Sequence, residues 1–365
     1  MMIKEKDLAK KLNKDIRDWT SEVRSFLLRR PRMIKPVIRL MKSQQSAAKR
    51  RKIKLDDGLH VPPYMILSVT KMCNLNCKGC YDKAHNRTGK DMSEEALDKL
   101  LTEAAELGTG VIITAGGEPF MRPGLIEAME RHPNLFFVIF TNGLLLNSPE
   151  YIKKIKRPNI YPVISIEGNV HNTDSRRGKG IYAKAGASMD IMKVANKHFG
   201  LSVTVTRNNF KEVLNESFQT ECRKKGASSL FYIDYVPFQE GTEHIELDED
   251  KRIEMLNWLN SHKRKDMLSV AFPGDEKPFG GCLAAGRGFV HIAADGSVEP
   301  CPFAPVSVEN VVEVGLEQAL KSPFLKAVRD NTDILEDESH GCALFHKKEE
   351  LECIRKSALN QSSDG

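Results

Sequence analysis

The sequence has few aromatic residues and no apolar run long enough to cross a bilayer. Phe, Trp and Tyr make up 7% of the 365 residues, and two of these are Trp. A membrane-spanning helix needs about 18 or more consecutive apolar residues, and no such run occurs. The charged start does not resemble a secretory signal peptide. Basic segments lack interleaved aromatics and no nucleic-acid-binding fold is recognisable, which argues against nucleic acid as a partner. What is present is the composition of a soluble globular protein, 41% hydrophobic and 28% charged. The length accommodates a barrel-sized domain of about 200–250 residues plus smaller appendages.

Eight cysteines could suggest a disulfide framework, but three crowd into one short run and no secretion signal accompanies them. A reducing, cytoplasmic setting is therefore expected. The net charge of +6 is uneven. Residues 1–60 hold 18 Lys and Arg against 7 Asp and Glu, a net of +11, so the remainder carries −5.

That basic arm is amphipathic. Leu8, Leu12, Ile16, Trp19, Val23, Phe26 and Leu27 recur at helical spacing over residues 4–30, and Pro31 ends the pattern. A second helix is expected over residues 33–52, with Pro36 near its start and Lys49-Arg50-Arg51-Lys52 at its end. Such an arm can cover a core with its apolar stripe, the commoner fate, or lie peripherally on the anionic inner face of a membrane.

Cys73, Cys77 and Cys80 follow the strand-like run Tyr64 to Thr70. Thiolates select iron–sulfur clusters or zinc; four protein ligands close a site, whereas three leave one position open. Structural zinc sites usually pair two knuckles. No second knuckle lies nearby, although His85 could complete a zinc site.

The C-x3-C-x2-C spacing resembles the radical S-adenosylmethionine (SAM) superfamily, in which it lies on the loop after the first barrel strand. Strand-like Val111 to Ala115 leads into Gly116-Gly117-Glu118-Pro119, similar to that family's glycine-rich SAM motif. There the absence of a Cβ lets exposed backbone N–H and C=O groups approach a ligand. Leu135 to Phe140 ends in Thr141-Asn142-Gly143, Pro162 to Ile164 leads into Ser165-Ile166-Glu167, and Arg176-Arg177-Gly178 follows. The resemblance implies that Gly116, Gly117, Glu118, Asn142, Ser165 and Arg177 bind SAM, with Ser165 and Arg177 on its ribose or carboxylate. An arginine fork suits a carboxylate. Tyr81 is placed beside the cluster, and Thr206, Arg207, Tyr235 and Gln239 fall on the same rim as candidate substrate contacts.

Further strand-like runs at Leu201 to Thr206 and Leu230 to Val236 complete six β/α units. Between the first two strands, Ser93 reads as a helix N-cap and Gly108 as the stop. Asp295-Gly296 between Phe289 to Ala293 and Ser297 to Glu299 marks a hairpin, with Cys282 ahead of it and Cys301 just past it. This region resembles the auxiliary-cluster extensions called SPASM or twitch. With Cys342 and Cys353, four cysteines follow residue 280, fewer than the full SPASM pattern requires. The resemblance implies a second iron–sulfur cluster on Cys282, Cys301, Cys342 and Cys353. Alternatively the first three bind it, with His340, His346, substrate or water at the last position. A zinc staple is the other reading of this set. Cys222 reads as a buried apolar residue.

The expected fold is α/β: a partial (β/α)6 radical-SAM barrel over residues 61–240, with the helical arm at 1–60 and a small twitch-like domain at 241–365. The resemblance implies a [4Fe-4S] cluster with SAM on its open iron, a 5′-deoxyadenosyl radical, and hydrogen abstraction from substrate. The substrate expected first is a peptide or protein side chain, with a lipid or small metabolite second. An external donor such as flavodoxin or ferredoxin would supply the electron. A non-catalytic redox sensor or scaffold is the alternative from a different class. No residue is singled out as catalytic.

Overall fold

The computed structural model describes all residues except 1–6, 9, 13, 15–26, 30, 86–88, 275, 337–340 and 364–365. Ile16, Trp19, Val23, Phe26 and His340, named above, lie outside the described residues.

Six strands run parallel in sequence order: β1 (Tyr64–Ser68), β2 (Val111–Ala115), β3 (Phe136–Thr141), β4 (Ile160–Ile166), β5 (Gly200–Val205) and β6 (Ser229–Asp234). The sheet does not stop there. β7 (Leu268–Phe272) adds in parallel beside β6, and β8 (Phe289–Ile292) adds in parallel beside β1. β9 (Val298–Glu299) turns back antiparallel on β8 as the expected hairpin. The order is β7-β6-β5-β4-β3-β2-β1-β8-β9, nine strands in one open arc. The six-unit expectation is thus extended at both edges. Residue 240 does not interrupt the sheet, because three of its nine strands come from beyond it.

Helices cover the outer face for local reasons. The helix Glu94–Leu107 starts at Ser93, whose hydroxyl accepts from Ala96 N, and stops at Gly108 with φ +104°. It buries Leu97, Leu100, Leu101 and Ala104, the stripe that a helical period places on one side. Full burial of one leucine contributes about 1.5–3 kcal/mol.

The second arm helix runs Ile34–Asp56, with Pro36 in its first turn. It packs on the core: Arg51 Nη1 donates to Gly108 O at 2.5 Å, and Ala47 is buried. A Cβ on Gly108 would stand 2.6 Å from Ala47 O, so glycine sets how closely this helix approaches. Of the first arm helix, Leu8 and Leu12 are buried against Leu283.

Candidate functional site

The cysteine loop leaves β1 and is held from the ends of other strands. Gly117 N donates to Thr70 O at 2.9 Å and Glu118 N to Met72 O at 2.7 Å. A Cβ on Gly117 would lie 2.1 Å from Met72 O, so the two loops can touch only because that residue is glycine. Asn142 Nδ2 donates to Asn74 Oδ1, Lys78 N to Arg176 O, and Gly79 N to Gln239 Oε1, at 2.7, 2.9 and 2.8 Å. Tyr235 closes on the same turn, where a Cβ on Gly79 would meet its hydroxyl at 2.1 Å.

The glycine loop differs from expectation in one respect. The N–H groups of Gly116, Gly117 and Glu118 are spent on Tyr81 Oη, Thr70 O and Met72 O. They clasp the cysteine loop, and the backbone carbonyls there are the groups able to accept from an incoming ammonium.

Glu118 is 1% exposed and serves as a knot. Its Oε1 accepts from Thr141 Oγ1 at 2.6 Å and its Oε2 from Asn142 N at 2.8 Å. Burial pushes its carboxyl above the usual range, against the pull of these hydrogen bonds.

Ser165 Oγ pairs with Ser202 Oγ at 2.9 Å. Arg177 Nε donates to Glu167 Oε1 at 2.7 Å, so its fork is turned on this buried carboxylate. The neighbouring Arg176, which the sequence reading passed over, stands nearer the thiols. It pairs with Glu167, donates to Thr204 Oγ1 at 2.9 Å, and lies over the Tyr235 ring. Burial works against its charge, but Glu167, with smaller help from Cys77 and Cys80, leaves the guanidinium above its ordinary value. The signal that could have found Arg176 is its place one residue nearer the strand-end carboxylate Glu167.

All three thiols of the first set are half-buried and free. Burial raises the Cys73 thiol, and the charges of Glu118, Cys77 and Cys80 add to this. In the second set Cys282, Cys301 and Cys342 are brought together. Burial pushes Cys282 and Cys301 well up, and Cys342 raises both further. Glu276, which has no counterpart in the sequence reading, stands beside Cys282 and is pushed up to about 7 by burial. Cys353 does not join them; it is exposed on the helix Lys348–Ser363. His346 faces Glu246 at 3.8 Å. His85 Nε2 donates to Pro302 O at 2.8 Å, which gives it a structural partner in place of a zinc ion. Cys222 is buried, its thiol pushed up to about 12 by desolvation.

Among the described residues no three Cys, His, Asp or Glu side chains are packed tightly enough to hold an ion as they stand. The donor sets nonetheless fit iron–sulfur clusters. Each offers three soft thiols within electrostatic reach of one another, where thiolate charge would be costly unless a cation shared it.

Two features join the sets. Tyr81, His85, Phe238, Phe303 and Phe345 form one aromatic patch, with Tyr81 to Phe303 at 5.3 Å and Phe238 to Phe345 at 4.7 Å. Tyr81 follows Cys80, and Phe303 N donates to Cys301 Sγ at 3.4 Å. Deeper, His291 Nε2 lies 2.8 Å from Ser68 Oγ and its Nδ1 lies 2.7 Å from Glu299 Oε2. All three side chains are buried. A neutral imidazole protonated at Nδ1 satisfies both partners.

Toward the N-terminal ends of the strands, the end opposite the cysteine loop, the described side chains leave part of the concave face uncovered. A cavity of about 1530 Å³ runs along Val111, Ile113, Phe136, Val138, Phe231 and Val270 and is floored by the arm helix at Val37 and Leu40.

Comparison with known proteins follows this geometry. Residues 67–215 match the Radical SAM superfamily and residues 282–343 match the SPASM iron–sulfur cluster-binding domain. The chain is 25% identical over 285 residues to an AdoMet-dependent heme synthase of Methanosarcina barkeri, covering 70% of this chain and 80% of the relative. It is 27% identical over 297 residues to a probable GTP 3′,8-cyclase of Methanococcus maripaludis, covering 72% and 93%. In fold it resembles Streptococcus suis SuiB bound to precursor peptide SuiA, with a TM-score of 0.63 at 16% identity over 82% of this chain and 74% of that one.

Proposed function

Because the chain belongs to the radical SAM superfamily and carries a SPASM iron–sulfur domain, it is a radical SAM enzyme, and we propose that it takes hydrogen from an apolar small molecule held in the barrel lumen. The observation that carries the substrate reading is the apolar cavity that the described residues leave along the concave face of the sheet. Loaded with a [4Fe-4S] cluster and SAM, such an enzyme supplies a 5′-deoxyadenosyl radical able to attack an unactivated carbon.

Cys73, Cys77 and Cys80 would hold that cluster. The carbonyls of Gly116 and Gly117 would receive the SAM ammonium, while Asn142 and Ser165 lie at the strand ends where the rest of SAM would sit. Arg176 and Arg177 share the single Glu167 carboxylate, which leaves one net positive charge in the wall of the site. Cys282, Cys301 and Cys342 would hold one auxiliary cluster, with the fourth position met by a group other than Cys353. The clasped loops would fix where the radical forms.

Peptide modification was the first expectation from the sequence, and the fold likeness to SuiB leans the same way. The lumen favours the small molecule, because a peptide would carry backbone N–H and C=O groups into walls that offer few partners. The relatives named for haem synthesis and GTP cyclisation likewise act, by their names, on small molecules. A one-electron donor of the flavodoxin or ferredoxin type would reduce the first cluster.

The test is anaerobic incubation of reduced, cluster-loaded protein with SAM and either the organic-soluble or the peptide fraction of a cell extract. Deoxyadenosine is read by mass spectrometry. It should rise with the organic-soluble fraction; a rise confined to the peptide fraction would overturn the substrate reading.

A further inference from the structure

The cavity lies at the N-terminal ends of the strands, far from the cysteine loop, and its rim is rich in basic residues. Lys35, Lys49, Lys52, Lys156, Arg157 and Lys197 reach it, and Asp56 is the one acidic residue among the described lining. Arg157 is engaged by Glu130, and Lys197 donates to Ile155 O. The first four lysines form no ion pair among the described residues, and all four are exposed.

A rim of this composition above an apolar shaft selects an amphiphile. Ordinary barrels fill their interior with layers of side chains. Here the arc stays open between β7 and β9, and Val111, Phe136 and Val138 line the cavity. At about 1530 Å³ the cavity exceeds the roughly 300–1,000 Å³ of ordinary small-molecule pockets. A neutral apolar ligand would leave the lysines without a role, and a compact anion would leave the shaft empty.

We propose that this basic rim binds the anionic head of a single-chain lipid whose tail lies along the apolar wall of the cavity. The proposal deepens the small-molecule reading above and rests on it for the reaction. Binding itself needs neither SAM nor an electron, so the two readings can fail separately.

The experiment uses full-length, cluster-loaded protein without SAM or reductant. Stearate, stearyl alcohol, myristate and haemin each compete against a fluorescent fatty acid, below their aggregation concentrations. Stearate should bind about tenfold more tightly than stearyl alcohol, through the lysines. It should outbind myristate by about fourfold for each methylene that is buried. Reversing the exposed lysines together (Lys49→Glu, Lys52→Glu, Lys156→Glu) should erase the preference for acid over alcohol. Val138→Trp should weaken both ligands about tenfold by plugging the shaft.

Iron content and thermal unfolding, measured on the same preparations, identify a variant that has lost its fold; the lysine variant changes only exposed side chains and keeps the test decisive. Equal affinity for acid and alcohol in the unaltered protein would overturn the proposal. So would stearate binding that neither variant changes, and displacement by haemin far below the stearate concentration would replace the lipid with a tetrapyrrole. Deoxyadenosine formation is assayed separately, so its absence would count against the enzyme reading and leave the lipid result standing.

Discussion

The two cysteine sets solve the same problem in different ways. Cys73, Cys77 and Cys80 lie half-exposed on one loop, and the surrounding strand ends hold that loop through its backbone. Cys282, Cys301 and Cys342 come from distant parts of the chain; Cys301 is 6% exposed, whereas Cys282 and Cys342 are half-buried like the first set. One set is arranged for access, because a cosubstrate must reach it. The other is gathered from three separate segments around one buried thiol, Cys301.

The sharpest way to break this comparison is Cys77→Ala. With two thiols left on the loop, deoxyadenosine formed from SAM should fall to the level without enzyme, while the iron held by the second set persists. Next is Gly117→Ala, whose methyl would meet Met72 O and part the two loops. Deoxyadenosine should drop by at least about tenfold, and spectroscopy should show loss of the first cluster ahead of the second. A smaller effect is expected from His291→Ala, which leaves the Glu299 carboxylate buried beside an unpartnered Ser68. Urea unfolding should report a loss of about 1–3 kcal/mol, and both clusters should become easier to strip with chelator. The smallest effect belongs to Cys353→Ser, which should leave iron content and deoxyadenosine unchanged; halved auxiliary iron would return Cys353 to the ligand set.

Much of the site was legible because its signals are local. The cysteine spacing, the paired glycines after β2 and the Asp295-Gly296 turn each declare themselves within a few residues, and Ser93 and Gly108 cap their helix as read. What escaped depends on distant partners. β7 is five residues long and follows a charged stretch, so only its pairing with β6 defines it. β8 was legible as half of a hairpin, but its union with β1 joins residues more than 200 positions apart. Glu167 looked like a strand end, and its two arginines and Thr204 converge only when β4 and β5 lie side by side. The cavity is a property of how far the arc opens, which no short stretch of sequence encodes.

β1 has a further consequence as a spacer. Its last residue leads into the first cysteine loop, while its first, Tyr64, has a hydroxyl raised by burial and by the nearby charges of Glu276, Cys282 and Cys301. Five residues at about 3.3 Å per step set a span of roughly 13 Å between those two ends. β8 lies alongside in fixed register, Ile66 opposite His291, and the Ser68–His291–Glu299 chain pins the hairpin across it. A hydrogen-bonded strand cannot stretch as a loop can. The separation of the two iron centres would therefore be held by the strand, so that distance would not be what changes electron exchange between them during turnover.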